Sequence, residues 1–210
     1  MYKHPSSLIV PIENQVRELD AKLLLAAAAA EKGFPVIIGS RFYIHFALPH
    51  LPPSVVIAKS MRSVSSVTLD LTRRLGHDVV AWDEEGLVRF SSPEYYAWRY
   101  SKRAFAIPRC LFCWGQDNAD FFKSYSGYNG TPIYVTGNPR IDLLRSNVRG
   151  IYSDEVDTIR KKYGDFILVN TNFSFANNFV DNLNLVQSSP NNDKYKISRT
   201  GRGLSRSFAK

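Results

Sequence analysis

The chain has 210 residues, of which 44% are apolar and 13% aromatic, enough for one domain with a substantial core, or for one domain and part of another. No stretch approaches the roughly eighteen apolar residues of a membrane span, since the longest, Leu23 to Ala30, is alanine-rich and bracketed by Lys22 and Glu31. The net charge of +8 invites a nucleic-acid reading, yet Ser188 to Lys210 carry six cations against Asp193, which leaves only +3 for the rest of the chain.

The opening MYKHPSSLIVPIE lacks the apolar region of a secretory leader and runs into an apolar segment, so the chain is read as cytoplasmic. SLIVPIE (7–13) fits a strand buried on both faces. Val16, Leu19, Leu23, Ala26, Ala27 and Ala30 then recur at helical spacing, and Gly33 suits the end of that helix. PVIIGSR (35–41) is a second strand, which completes a βαβ unit. SVVIAKS (54–60) reads as a third strand, Val64 to Leu75 as a helix closed by Gly76, and HDVVAWDEEG (77–86) as a fourth strand. Pro93 to Phe105 is an aromatic-rich helix with proline in its first turn, RCLFCWG (109–115) a fifth strand, Asp117 to Tyr125 a short helix and PIYVTG (132–137) a sixth strand. The fold class expected is therefore α/β, a Rossmann-like parallel sheet with helices on both faces, over residues 1–145.

Past the sixth strand, Gly137, Asn138 and Pro139 predict a sharp turn: glycine reverses the chain, Pro139 holds Asn138 extended, and a helix follows. Ile141 to Leu144 and Asp154 to Tyr163 read as linking helices. DFILVNTNFSF (165–175) reads as the first strand of a second α/β unit, so residues 146–180 are a linker and the start of an incomplete second domain. Residues 181–210 have almost no apolar periodicity and are expected to be a basic, disordered tail. Cys110 and Cys113 form a lone CxxC inside an apolar strand, with no second Cys/His pair at ligand spacing. They are read as two small apolar residues, and no metal or other cofactor is expected.

In an open parallel sheet every strand ends at the same rim, and ligands bind there. The residues just past each strand are Glu13, Asn14 and Arg17; Ser40 and Arg41; Lys59 and Ser60; Asp83, Glu84, Glu85 and Gly86; Trp114, Gly115 and Gln116; and Gly137, Asn138 and Arg140. Asp83, Glu84 and Glu85 are the candidates for proton transfer, because three consecutive acids cannot all be close and dry. Their alternative is an aspartate bracing a turn beside two solvated glutamates. Glu13, Arg17, Arg41, Trp114, Asn138 and Arg140 are the candidates for substrate binding, with a turn-bracing role open for Arg140. No GxGxxG follows the first strand, and Glu13 would oppose a phosphate there, so a neutral, hydroxyl-rich ligand is expected.

The segments LIVPIENQVRELDAKLLLAAAAAEKGFPVIIGSR, GHDVVAWDEEGLV, WGQDNADFF, VTGNPRIDLL and FILVNTNFSFANN together resemble the surface carbohydrate biosynthesis proteins, a family similar to the GT-B class of glycosyltransferases. The resemblance implies a GT-B N-terminal domain that receives a glycan acceptor. A second domain would hold a nucleotide sugar donor, with Asn170, Thr171 and Asn172 at its start. It further implies work in bacterial surface polysaccharide synthesis, with peripheral association with the inner membrane face and no transmembrane segment. A noncatalytic truncated product, or a binding module lacking the donor half, is the alternative. Use of the basic tail as a salt-dependent, sequence-blind nucleic-acid binder ranks third, and no specific nucleic acid is expected.

Overall fold

The computed structural model describes residues 7–87, 93–170, 186–189 and 192–197. The chain divides into two units, Met1–Asp154 and Glu155–Lys210. The first unit is built on a six-stranded sheet: β1 (Leu8–Ile12), β2 (Val36–Ser40), β3 (Val55–Ala58), β4 (Asp78–Trp82), β5 (Leu111–Cys113) and β6 (Ile133–Val135). Their order is β2-β1-β3-β4-β5-β6 and every neighbouring pair is parallel, with Ile9 opposite both Ile37 and Val56. A parallel sheet needs cover on both faces, which is why its central strands read as LIVPI and VVIA, near-continuous apolar runs.

Helices α1 (Gln15–Glu31) and α7 (Pro139–Asp142) meet on one face, over Val10, Ile57 and Trp82. On the other face lie α2 (Arg41–Ala47), α3 (Ser66–Arg74), α4 (Pro93–Arg99), α5 (Lys102–Ala106) and α6 (Gln116–Ser124). Two apolar clusters fill the gap between this second set and the sheet. Ile9, Ile44, Leu48 and Val56 pack beneath α2. Tyr100, Phe105, Phe121, Phe122 and Tyr125 form a ring-rich core beneath α4 to α6. There the Phe105 and Phe122 rings meet edge to face at 5.6 Å and both side chains are fully buried.

Several local details differ from the sequence reading. The second strand stops at Ser40, and Arg41 opens a helix; RFYIHFA is aromatic on too many sides to show an amphipathic period, so α2 carries no sequence signal. The aromatic helix expected from Pro93 to Phe105 is two helices. Ser101 accepts a hydrogen bond from the Ala104 N–H (3.1 Å) and caps α5, while Tyr100 bridges to Arg62. Residues 165–170 carry no strand pairing, and Phe166 to Val169 are exposed; residues 171–175 of that expected strand lie outside the described ones. An extended apolar segment becomes a strand only beside a ladder partner, and the described residues give it none. In the second unit, β7 (Val186–Ser189) and β8 (Asn192–Ile197) pair antiparallel inside the span expected to be a disordered tail.

The Gly-Asn-Pro turn is as expected. Gly137 has φ +82°, Asn138 is extended (φ −145°, ψ 136°) and accepts from the Arg140 N–H at 3.0 Å, and Pro139 starts α7. Gly137→Ala is therefore expected to lower stability by about 1–2 kcal/mol, read as a shift in urea midpoint, because a β-carbon is strained at that φ. Cys113 is buried in β5, where burial pushes its thiol up to about 12, and Cys110 is raised for the same reason. Both behave as apolar fillers rather than reactive thiols.

Candidate functional site

The sheet order reverses between β1 and β3, because the chain leaves β1 for β2 on one side and returns to β3 on the other. Carboxyl ends of neighbouring strands are held apart at such a point, and a crevice opens. A cavity of about 360 Å³ lies there. Val56, Ala58 and Val79 form its floor, Arg41 and His45 of α2 one wall, and Ser65, Thr68 and Thr72 the other.

Besides Ser65, Thr68 and Thr72, six polar side chains line this cleft: Glu13, Arg41, His45, Lys59, Ser60 and Arg62. The Glu13 carboxylate pairs with Arg41 Nη1 at 3.0 Å and with Lys59 Nζ. The lining thus holds three cations and one carboxylate, and Glu13 is the built-in counter-ion of Arg41 and Lys59. Burial holds the Lys59 ammonium below its usual value, although Glu85, Glu84 and Asp83 oppose that shift. Burial, then the Arg41 charge, lowers His45, so its imidazole is neutral at neutral pH. Ser60 is buried on the cleft wall, and its hydroxyl has no partner among the described residues.

The DEEG acids lie in the turn that follows β4, where the Asp83 carboxylate accepts from the Glu85 N–H at 3.1 Å and the Asp83 carbonyl from the Gly86 N–H at 3.1 Å. Asp83 and Glu85 point to one side, Glu84 to the other. Asp83 is fully buried and accepts both Arg99 Nη2 contacts, at 3.0 and 3.2 Å, and the Tyr100 hydroxyl at 2.9 Å. Arg99 Nη1 also donates to Glu85 at 3.0 Å, and Arg99 Nε to the Tyr100 oxygen at 3.1 Å. Burial would lower Arg99, but the Asp83 charge outweighs it; burial raises Tyr100 and Asp83 raises it further, so the guanidinium stays charged and the phenol stays a donor. Burial pushes Glu85 up, but the hydrogen bond and charge of Arg99, with Lys59 and Arg62, outweigh it and hold the carboxyl below its usual range.

Glu84 faces α1. Its carboxylate lies 3.4 Å from Lys22 Nζ and 3.9 Å from Arg140 Nη1, and burial raises it despite both. Lys22 Nζ also donates to Glu18 at 2.8 Å and to the Pro11 carbonyl at 2.6 Å, while Glu18 accepts from the Glu13 N–H at 3.0 Å. Arg140 donates to the Glu84 carbonyl at 3.0 Å and lies 5.4 Å over the Trp114 ring, whose N–H donates to the Asp83 carbonyl at 2.6 Å. These contacts make Arg140, Trp114 and the cap residue Asn138 parts of the frame that holds the acidic loop.

Of the residues singled out from sequence, Glu13 and Arg41 meet in the cleft. Glu84, Trp114, Asn138 and Arg140 meet on the α1 side, where Arg17 Nη2 reaches Glu18 at 3.4 Å. Asp83 and Glu85 meet at Arg99. Asn170 is exposed, and Asn172 lies outside the described residues. His45, Arg62, Glu18, Lys22, Arg99 and Tyr100 do not stand out in sequence. Only the four-residue spacing of Glu18 and Lys22 was a signal, and it reads as a surface pair. Among the described residues no cluster of three or more His, Cys, Asp or Glu could hold a metal, and no helix is long and apolar enough to cross a membrane. Comparison with protein-family models, curated proteins and solved structures finds no match.

Proposed function

We propose that the cleft at the β1/β3 reversal binds the acceptor in a glycosyl transfer, and that the chain is the acceptor-side portion of a GT-B-like glycosyltransferase of bacterial surface polysaccharide synthesis. The donor in this reading is a nucleotide sugar. The observation that carries it is the placement of Glu13, Arg41, Lys59, Arg62 and Ser60 around one cavity at the rim where an open α/β sheet takes its ligands. The ordered resemblance of five segments supports it independently. Three cations against Glu13 suit an acidic glycan, one carrying a uronate, better than the neutral ligand expected from sequence. Glu85, partly exposed and directed to the same side as Lys59 and Arg62, is the best placed of the three acids for proton transfer.

Calorimetric titration with uronate-bearing and neutral oligosaccharides tests the acceptor. The acidic ligand is expected to bind more tightly, Arg41→Gln to weaken it about tenfold, the loss of one charge-assisted hydrogen bond, and Glu13→Gln to strengthen it by removing the competing counter-ion. The uronate keeps its charge from pH 8 to about 5. His45 gains a proton only as pH falls through its depressed value, so affinity is expected to rise on acidification and to become flat in His45→Gln. Equal binding of neutral and acidic sugars would refute the acidic-acceptor reading.

A binding module without transfer is the second reading. It is favoured by the commitment of Asp83 and Glu84 to buried ion pairs, which leaves neither poised as a base. Release of nucleotide from sugar donors in the presence of an acidic acceptor separates the two, and loss of that turnover in Glu85→Gln would support transfer.

A further inference from the structure

Among the described residues, three buried side chains carry a polar atom with no hydrogen-bond partner: Ser60, His77 and Asn118. Of these, Ser60 alone lines the cleft at the β1/β3 reversal. Ser60 is 3% exposed, and a hydroxyl buried without a partner costs stability unless a ligand satisfies it.

Two residues further on, Arg62 is the cation of the lining that has no counter-ion. Glu13 pairs with Arg41 and Lys59, whereas among the described residues no carboxylate lies within ion-pair distance of Arg62. Glu85 attracts it from farther off while bonded to Arg99. The near partner of the guanidinium is the Trp98 ring at 5.8 Å, a contact that uses none of its N–H donors.

Ser60 and Arg62 stand on the stretch that joins β3 to α3. In a parallel sheet the helix after a strand starts at the carboxyl rim, so the amino end of α3 is delivered to the cleft. The chain enters this nine-residue helix through a single 3-10 turn, Ser63–Ser65, and Ser65 itself lines the cavity. Neither that turn nor α3 has a side-chain cap, so the leading N–H groups take no acceptor from a capping residue.

A helix end attracts any anion, but the groups gathered here are more selective. A carboxylate is planar, carries one charge and is answered by a guanidinium fork alone. A phosphoryl group carries close to two charges at pH 7 and three strong acceptor oxygens, which call for several kinds of donor at once. A guanidinium, an unsatisfied hydroxyl and the N–H groups of a helix end supply them. The cavity, about 360 Å³, is within the size range of small-molecule sites and leaves room beside a phosphate for a sugar ring.

We infer that the β3–α3 corner of the cleft, formed by Ser60, Arg62 and the amino end of α3, is a subsite for the phosphoryl group of a phosphorylated sugar. The inference rests on the reading of the cleft as a carbohydrate site, and it adds a second anion position on the wall opposite Arg41.

Calorimetric titration of the full chain with hexose 1-phosphate, inorganic phosphate, the plain hexose and a uronate-bearing oligosaccharide tests it. Hexose 1-phosphate is expected to bind more tightly than inorganic phosphate, and the plain hexose about tenfold more weakly than its phosphate. Arg62→Gln is expected to weaken hexose 1-phosphate about tenfold and the uronate ligand less, with the order reversed in Arg41→Gln. Ser60→Ala should weaken hexose 1-phosphate about fivefold and leave the urea midpoint unchanged or higher, because it removes an unsatisfied hydroxyl and no protein contact. A serine with a structural role only would lower the midpoint and spare the affinity, which would overturn its place in the subsite. Uronate binding without hexose 1-phosphate binding would overturn the inference and leave the acidic-acceptor reading standing; the reverse result would uphold the subsite and refute that reading. Binding of neither would overturn both. Equal losses of the two ligands in Arg62→Gln, or inorganic phosphate bound as tightly as hexose 1-phosphate, would also overturn the inference.

Discussion

Replacing Arg99 by methionine is expected to cost about 3–5 kcal/mol of folding stability, the usual result of stripping one partner from a buried ion pair. Methionine keeps much of the length and apolar volume of the arginine stem, so the loss reports charge and hydrogen bonding rather than a cavity. Asp83 would stay fully buried with the Tyr100 hydroxyl as its remaining side-chain donor, and Glu85 would lose its cation at 3.0 Å. The loop that carries the acids is also tied by the Trp114 N–H to the Asp83 carbonyl, so loss of the pair should loosen Glu85 and the neighbouring Lys59 side of the cleft. Urea melts give the stability. A double variant Arg99→Met/Asp83→Leu is expected to recover a large part of the loss, because the stranded charge disappears with its partner. If Arg99→Met alone changes stability by less than about 1 kcal/mol, the pair is solvated and the account of a dry frame fails.

The frame itself explains which parts of the molecule were legible in sequence. Strands such as VVIA and LIVPI announce themselves because burial on both faces demands continuous apolar residues, and the Gly-Asn-Pro turn does so because few other residues satisfy its backbone. The α2 helix was silent because Phe42, Tyr43 and Phe46, all exposed, break the polar half of any helical pattern. The acidic loop was legible in part: Asp83 braces its turn, one of the two roles open to it, by accepting from the Glu85 N–H. The partners could not be read, since the turn sends Asp83 and Glu85 to Arg99 and Glu84 to Lys22. The partners of those acids come from residues 14 to 62 positions away, and no local pattern distinguishes a lysine that ends beneath the sheet rim from one in solvent. Glu13 and Arg41 were legible as post-strand residues, but the cations that make the cleft basic became a group only through the β1/β3 reversal.

The second large effect is expected at Lys22. Its ammonium is the common partner of Glu18 and Glu84, both buried, and of the Pro11 carbonyl. Lys22→Met leaves two carboxylates facing each other without the charge between them, and the expected loss at neutral pH is about 3–5 kcal/mol. Unlike the Arg99 effect, this one should depend steeply on pH. Burial already raises Glu84 above the usual carboxylate value, with Glu18 adding to the shift and Lys22 and Arg140 opposing it. Removing Lys22 therefore raises it further. A carboxyl raised in the folded state binds its proton more tightly there than in the unfolded chain. Its contribution to stability is complete below the unfolded value and is lost as pH rises through the raised folded value. The deficit of Lys22→Met relative to the parent should consequently be largest at pH 7 and shrink as the buffer is taken down toward the ordinary glutamate range, because protonated Glu84 no longer repels Glu18. Adding Glu84→Gln to Lys22→Met should remove most of that pH dependence and part of the deficit at pH 7, since the amide keeps the shape while discarding the charge. Parallel urea melts of the three variants across that range read the difference directly. A Lys22→Met deficit that is constant with pH would mean that Glu84 stays ionised at no cost, and that the space beneath α1 is wet.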